Sequence, residues 1–258
     1  MAALTLLALG AAPASALTLP PANKPFDYQI GGVYNPLTNV AIVDRDRSDP
    51  PVAGKYNVCY VNAFQTQPDE INWWKASHPD LLLRSSSGAY VKDGDWGELL
   101  LDTRTAAKRT AIAAIVDGWI DRCGAAGYRA IEPDNLDSWT RSQRLLTMAE
   151  NQAMAALLAK HAHAVGLAIA QKNAVELAPA RTTIGFDFAI AEECEVYDEC
   201  DDYTAAYGNQ VFEIEYADNG GQANFDAACR ARGATLSIVY RDRDVLPLGE
   251  PGYLYRWC

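Results

Sequence analysis

A single (β/α)8 barrel of the TIM type, with room for an extra N-terminal strand, is the fold the sequence predicts, and three observations predict it. Short runs rich in β-branched and aliphatic residues recur after helix-like segments, the pattern of parallel strands covered by crossover helices. The 258 residues suit one α/β barrel, and no Gly/Ser linker or charge block divides them. Several of the apolar runs end in acidic residues, and a barrel gathers its reactive groups at the carboxyl ends of its strands.

The spacing predicts strands near residues 27–31, 40–44, 56–63, 99–102, 128–133, 167–171, 187–191, 211–215 and 235–240. That exceeds what a barrel needs, so either the first pair or the 99–102 run lies outside the closed sheet. Between them, residues 105–124 place Ile112, Ile115, Val116, Trp119 and Ile120 at helical spacing and stop at Gly124. Residues 142–166 do likewise with Leu145, Leu146, Met148, Met154, Leu157 and Leu158, ending at Gly166.

Residues 1–16 form an apolar run closed by Ala14-Ser15-Ala16, as a signal-peptidase site requires, although no positively charged n-region precedes it. The run is too short to span a bilayer, and no later stretch suits a membrane helix. Export is therefore expected, with the barrel domain occupying residues 17–258, extracellular or periplasmic and monomeric. The six cysteines, Cys59, Cys123, Cys194, Cys200, Cys229 and Cys258, then read as three disulfides. Proximity favours Cys194 with Cys200. Cys229 with Cys258 would tie the last helix to the carboxyl terminus, leaving Cys59 with Cys123. No C-x-x-C knuckle is present, and His78, His161 and His163 lack partners at ligand spacing, so no metal is expected. A net charge of −11 disfavours a nucleic-acid partner. It favours a neutral or cationic substrate, though acidity for solubility alone explains it as well.

Four strands deliver acids to the expected mouth: Asp44 after 40–43, Asp134 and Asp137 after 130–133, Glu192 and Glu193 after 188–191, and Glu215 after 211–214. One strand-end acid is more often a helix cap or a buried ion-pair partner. Several together suit glycosidic cleavage, which needs one carboxylic acid to protonate the leaving oxygen and one carboxylate to attack the anomeric carbon or activate water. Pro133 denies the backbone a donor where the strand should stop and pushes the Asp134 side chain into the mouth. Other chemistries are poorly supplied: there is no G-x-S-x-G elbow, glycine-rich phosphate loop or H-E-x-x-H pair, and no cofactor is expected. Of the aromatic residues Trp73, Trp74, Trp96, Trp139, Tyr60, Tyr216 and Tyr240, most belong to the core. Trp139 and Tyr216, each beside an acid, are the better candidates for stacking on sugar faces. Lys172-Asn173 closes another strand and either binds substrate hydroxyls or pairs with an acid.

The chain resembles the endo-α-1,4-polygalactosaminidase-like enzymes of glycoside hydrolase family 114 through nearly the whole mature sequence. The matching stretches are Val58-Cys59-Tyr60, Leu100-Leu101-Asp102-Thr103-Arg104, Glu132-Pro133-Asp134-Asn135-Leu136-Asp137-Ser138-Trp139, Gln171-Lys172-Asn173, Glu192-Glu193-Cys194, Tyr197-Asp198-Glu199-Cys200 and Glu215-Tyr216. The E-P-D-N-x-D block with the later E-x-C is specific. The family usually has Asn where this chain has Ala191, and a small-Ala-Gly turn at Asn62-Ala63-Phe64. The resemblance implies a barrel that cuts α-1,4-linked galactosamine polymers with retention, Asp134 and Glu192 being the catalytic pair. Tyr60, Asn135, Trp139, Lys172, Asn173, Glu193 and Tyr216 are then expected to bind substrate, and Asp44, Asp102, Asp137 and Glu215 to rim the mouth and attract an amino-sugar polymer. Two other outcomes stay open: hydrolysis of a different α-linked glycan, and a catalytically idle carbohydrate-binding barrel.

Overall fold

The computed structural model describes residues 17–258, so the expected signal segment lies outside the described residues. Strands β1 (Phe26–Tyr28), β2 (Ile42–Asp46) and β3 (Tyr56–Asn62) come first, followed by a long excursion holding helix α1 (Ile71–Ser77). Then follow α2 (Ala106–Ala126), β4 (Ala130–Asp134), α3 (Met148–Ala164), β5 (Ala168–Lys172), α4 (Arg181–Ile184), β6 (Phe188–Glu192), α5 (Cys194–Tyr197), α6 (Cys200–Tyr207), β7 (Val211–Tyr216), α7 (Gly221–Arg232), β8 (Ser237–Arg241) and β9 (Tyr255–Trp257). Strands β1 to β8 pair in sequence order, all parallel, which confirms the predicted (β/α)8 barrel.

Of the two runs that the sequence allowed to lie outside the closed sheet, it is 99–102 that does so, making isolated bridges to Gln65, Leu82 and Lys92 within the excursion. The closing strand β9 was not foreseen. It pairs antiparallel with β8, and its Tyr255 hydroxyl donates to the Phe26 carbonyl of β1 at 3.0 Å. The seam is also crossed lower down, where the Lys24 amide donates to Ser237 Oγ at 3.0 Å.

Strict alternation sorts the side chains. Phe26, Ile42, Val58, Ala130, Ala168, Ala170, Phe188, Ile190, Phe212, Ile214 and Val239 fill the barrel interior, while Cys59, Val61, Ile131, Ile169, Ala189, Ala191, Val211 and Ile238 face the helices. The interior turns polar at the carboxyl ends, where Asp44, Glu132, Lys172 and Glu192 take the positions two residues beyond the apolar layer and Asp134 the next inward position after Glu132.

The two long helices are fixed by their ends. Thr105 caps α2 by accepting from the Lys108 amide, and Gly127 (φ +105°) ends it in the left-handed region. Helix α3 starts later than expected, at Met148, because Thr147 and Glu150 form a capping box there. The sulfurs pair as Cys59–Cys123, Cys194–Cys200 and Cys229–Cys258. The first joins β3 to α2 across a sequence separation of 64. Replacing both cysteines by alanine is expected to lower stability by about 4 kcal/mol through the restored freedom of the unfolded loop, and urea unfolding of the double variant checks this. Among the described residues no helix is long and apolar enough to cross a membrane.

Candidate active site

The mouth of the barrel holds a cavity of about 270 Å³. Asp134 at the end of β4 and Glu192 at the end of β6 reach into it from separate strands, their side chains about one-fifth exposed (20% and 23%). Between them stands the buried Lys172 of β5. Its Nζ lies 3.5 Å from Asp134 Oδ1 and 3.3 Å from Glu192 Oε2, so those two oxygens are less than about 7 Å apart. Burial alone would lower the Lys172 pKa, but the charges of Asp134, Glu132 and Glu192 outweigh it and hold the ammonium well above its ordinary range. The amine is therefore a fixed cation.

Each acid has its own tyrosine. Tyr60 donates to Asp134 Oδ2 at 2.8 Å, and Tyr216 donates to Glu192 Oε1 at 2.5 Å. Burial, reinforced by the Asp134 and Glu192 charges respectively, raises both phenols well above their usual value, so they act as donors only. Asn173 completes the hold on Glu192: its Nδ2 donates to Oε2 at 2.8 Å while its Oδ1 accepts from the Glu192 amide at 2.8 Å.

The residues that follow the three strand-end groups, Asn135 (φ 62°), Asn173 (φ 47°) and Glu193 (φ 61°), are all left-handed. Asparagine tolerates this conformation best among residues with a side chain. The repeated turn ends each strand at its reactive residue and swings the chain away from the axis.

Of the expected binding residues, Tyr60, Asn135, Asp137, Lys172, Asn173 and Tyr216 line the cavity. Glu193 lies beside it in an adjoining depression that also contains Asn173 and Glu192, and Arg243 clamps it at 2.5 and 3.1 Å. Four expectations are corrected. Asp44 points inward but is fully buried below the cavity floor. Asp102 is buried at the start of α2, gripped by Arg104 at 2.7 Å and Lys108 at 2.5 Å. Glu215 faces outward from β7 toward α5, accepting from the Glu195 amide at 3.1 Å. Trp139, within the β4–α3 connection, is partly buried and packs against the core, and it does not line the cavity. Of the four acids expected at the rim, only Asp137 lies there.

The sequence reading missed Asp93, Asp95, Glu98, Arg141 and Arg243 and passed over Trp96, all of which line the cavity. Arg141 ties the loops together, reaching Asp93 and Asp137 at 2.8 Å and Asn135 Oδ1 at 2.9 Å. The Arg243 guanidinium stacks 4.1 Å over the Tyr216 ring. Trp96, 60% exposed, offers a free indole face at the entrance. His161 and His163 pair with Asp121 and Asp187 at 2.8 and 2.9 Å, away from the mouth. Among the described residues the grouping of metal-ligand type, Cys194, Cys200 and Glu213, has both sulfurs tied in a disulfide.

Glu98 accepts from Asn62 at 2.8 Å. Burial pushes its carboxyl up to about 7 from an ordinary 4.5, the Asn62 hydrogen bond opposing and the charges of Asp134 and Asp93 assisting. Between those values the folded protein keeps a proton that the unfolded chain has lost, so stability falls as pH rises across that window. Glu98→Gln, neutral throughout, is expected to match the parent near about pH 4 and exceed it by about 3 kcal/mol near about pH 8. Urea unfolding at both pH values tests this; a difference that does not change with pH contradicts the burial account.

The family model described as glycoside-hydrolase family GH114 matches residues 7–258. Among curated proteins none matches. Among solved structures the chain is similar to Ega3 of Aspergillus fumigatus in complex with galactosamine, with 23% identity over 95% of this chain and 98% of that one and a TM-score of 0.75. It is also similar to the glycoside hydrolase domain of PelA from Pseudomonas aeruginosa, with 14% identity over 88% and 96% and a TM-score of 0.58. These two likenesses agree with the barrel topology. With the family model spanning almost all of its length, the chain belongs to glycoside-hydrolase family GH114.

Proposed function

We propose that the protein is an exported hydrolase that cuts α-1,4-linked galactosamine polymers internally and with retention, using Asp134 as nucleophile and Glu192 as acid and base. The observation that carries this reading is the pair of partly exposed carboxylates on β4 and β6, both within 3.5 Å of Lys172 Nζ and both opening on one cavity. The bound of about 7 Å between Asp134 Oδ1 and Glu192 Oε2 is compatible with the about 5–5.5 Å of a retaining pair.

In the first step Asp134 Oδ attacks the anomeric carbon, the bond to the leaving oxygen breaks, and Glu192 delivers its proton to that oxygen. In the second, Glu192 takes a proton from water, the hydroxide attacks the same carbon, and the Asp134 ester bond breaks. Tyr60 and Lys172 keep Asp134 oriented for attack, while Tyr216 and Asn173 aim Glu192 at the leaving group. The acids Asp93, Asp95 and Asp137 around the cavity suit a sugar bearing an ammonium group, and the open face of Trp96 suits stacking on a sugar ring. Galactosamine is the sugar in the Ega3 complex, and the three disulfides fit an oxidising compartment.

The test is incubation with defined, fully deacetylated α-1,4-galactosamine oligomers and mass analysis of the products. Internal cleavage into shorter oligomers by the parent, absent with Asp134→Asn, is expected. Intact oligomers would overturn the substrate assignment, and release of single sugars alone would overturn the internal mode.

A further inference from the structure

Below Lys172 the barrel contains a second pair of acids that takes no part in the two steps above. Asp44 of β2 and Glu132 of β4 are both fully buried. Glu132 Oε1 accepts from Lys172 Nζ at 2.8 Å and from the Tyr28 hydroxyl at 3.0 Å, and Lys172 also donates to that hydroxyl at 2.8 Å. The other side of the pair is poorly supplied with donors: counted as carboxylates, both oxygens of Asp44 and Oε2 of Glu132 lack a hydrogen-bond partner, the Arg45 amide having only a weak influence on Asp44. The two side chains face each other at hydrogen-bonding range. Two buried carboxylates in contact cannot both stay ionised, and an acceptor-only pair becomes satisfied when one proton sits between them.

We propose that Asp44 and Glu132 share one proton, and that this acid–carboxylate pair, with Tyr28, is the positioning layer that holds the Lys172 ammonium between Asp134 and Glu192. The inference rests on the catalytic pair proposed above. Asp44 is the protonated partner. Burial and then the Glu132 charge drive its carboxyl well above the ordinary range, whereas Glu132 has Lys172 to favour its charge. The groups facing the pair are Tyr28 from β1, Asp134 from β4, Lys172 from β5 and, across Lys172, Glu192 from β6.

The layer has a chemical consequence. With one net negative charge it neutralises Lys172 from below, so that the cation does not force both catalytic carboxyls to ionise, and one of them remains able to carry the proton that the leaving oxygen needs. If both partners were ionised, the layer would hold an uncompensated buried charge. If both were neutral, Lys172 would act undiluted on Asp134 and Glu192.

Carboxyl-carbon NMR of the whole parent chain reads the proton directly. The Asp44 carboxyl is expected to remain in its protonated form from about pH 5 to about pH 8; ionisation within that range overturns the shared proton. Kinetics on galactosamine oligomers reads the positioning role. Asp44→Ala is expected to lose about tenfold in kcat, and Asp44→Asn, which restores an uncharged donor to Glu132, to recover to within about threefold of the parent. Glu132→Gln is expected to move the basic limb of the kcat/KM profile down by about one pH unit with little change in KM. Equal losses in the Asn and Ala variants, or a limb that stays in place, overturn that role. The NMR reading needs no substrate, so a chain that cleaves no galactosamine oligomer fails the hydrolase proposal while its Asp44 resonance still decides the shared proton.

Discussion

Asp134→Asn and Glu192→Gln are each expected to lower kcat on galactosamine oligomers by about a thousandfold while leaving the barrel folded. Both replacements keep side-chain shape, and the Tyr60 and Tyr216 hydroxyls that donate to the parent acids at 2.8 and 2.5 Å can still donate to an amide oxygen. What is removed is chemistry. The Asp134→Asn variant has no charged oxygen with which to form the ester, and the Glu192→Gln variant has no acidic proton to give. The two variants should separate on a substrate with a good leaving group. An aryl oxide departs without a proton, so Glu192→Gln is expected to recover most of the rate of its first step, whereas Asp134→Asn stays slow. Initial rates on an oligomer, and the burst of aryl oxide released from an aryl galactosaminide, check both statements. A variant within about tenfold of the parent on the oligomer would remove that residue from the pair.

Lys172→Met is expected to cost about 3–5 kcal/mol of stability at neutral pH and to abolish turnover. The Lys172 side chain is 1% exposed, and Glu132, at 2.8 Å, is buried completely. Removing the cation leaves Glu132 without its counter-charge and sets Asp134 and Glu192 against it. In the variant Glu132, whose carboxyl burial raises and Lys172 lowers in the parent, holds its proton more tightly when folded than when unfolded. The variant's deficit should therefore shrink as pH falls toward the ordinary carboxyl range and grow as pH rises. Urea unfolding of parent and variant across that range reads the slope. A deficit that is constant with pH would mean that Lys172 contributes packing rather than charge.

Much of this site was legible because strand alternation is legible. The run from Ala130 to Asp134 sets Glu132 and Asp134 on one face, and the run from Phe188 to Glu192 does the same for Glu192. The same rule contained the correction for Glu215. In β7 the inward positions belong to Phe212, Ile214 and Tyr216, so Glu213 and Glu215 must face the helices, where Arg232 holds Glu213 at 2.9 Å. Asp44 obeys the alternation but sits one layer too deep. Alternation gives the face and not the height, which depends on stagger between strands. Asp102 had its explanation nearby, in Arg104 and Lys108.

The remaining wall residues were hidden for a different reason. Glu98, Asp93 and Trp96 come from the excursion between β3 and α2, and Arg243 from the loop after β8. Their places depend on contacts such as Asn62 with Glu98 or Glu193 with Arg243, which join segments far apart in sequence and have no periodic signature. Strand β9 was missed because three residues leave no period to read, and its position follows from pairing with β8.

Azide rescue with the anomeric configuration read by NMR tests the central claim most directly, using an α-linked aryl galactosaminide with Asp134→Ala and Glu192→Ala. If Asp134 is the nucleophile, its alanine variant lets azide take that place in a single displacement, giving the β-galactosaminyl azide. Glu192→Ala still forms the ester on Asp134, and azide then displaces it to give the α-azide. An α-azide from Asp134→Ala, or parental turnover in either variant without azide, would contradict the assignment of these two carboxylates.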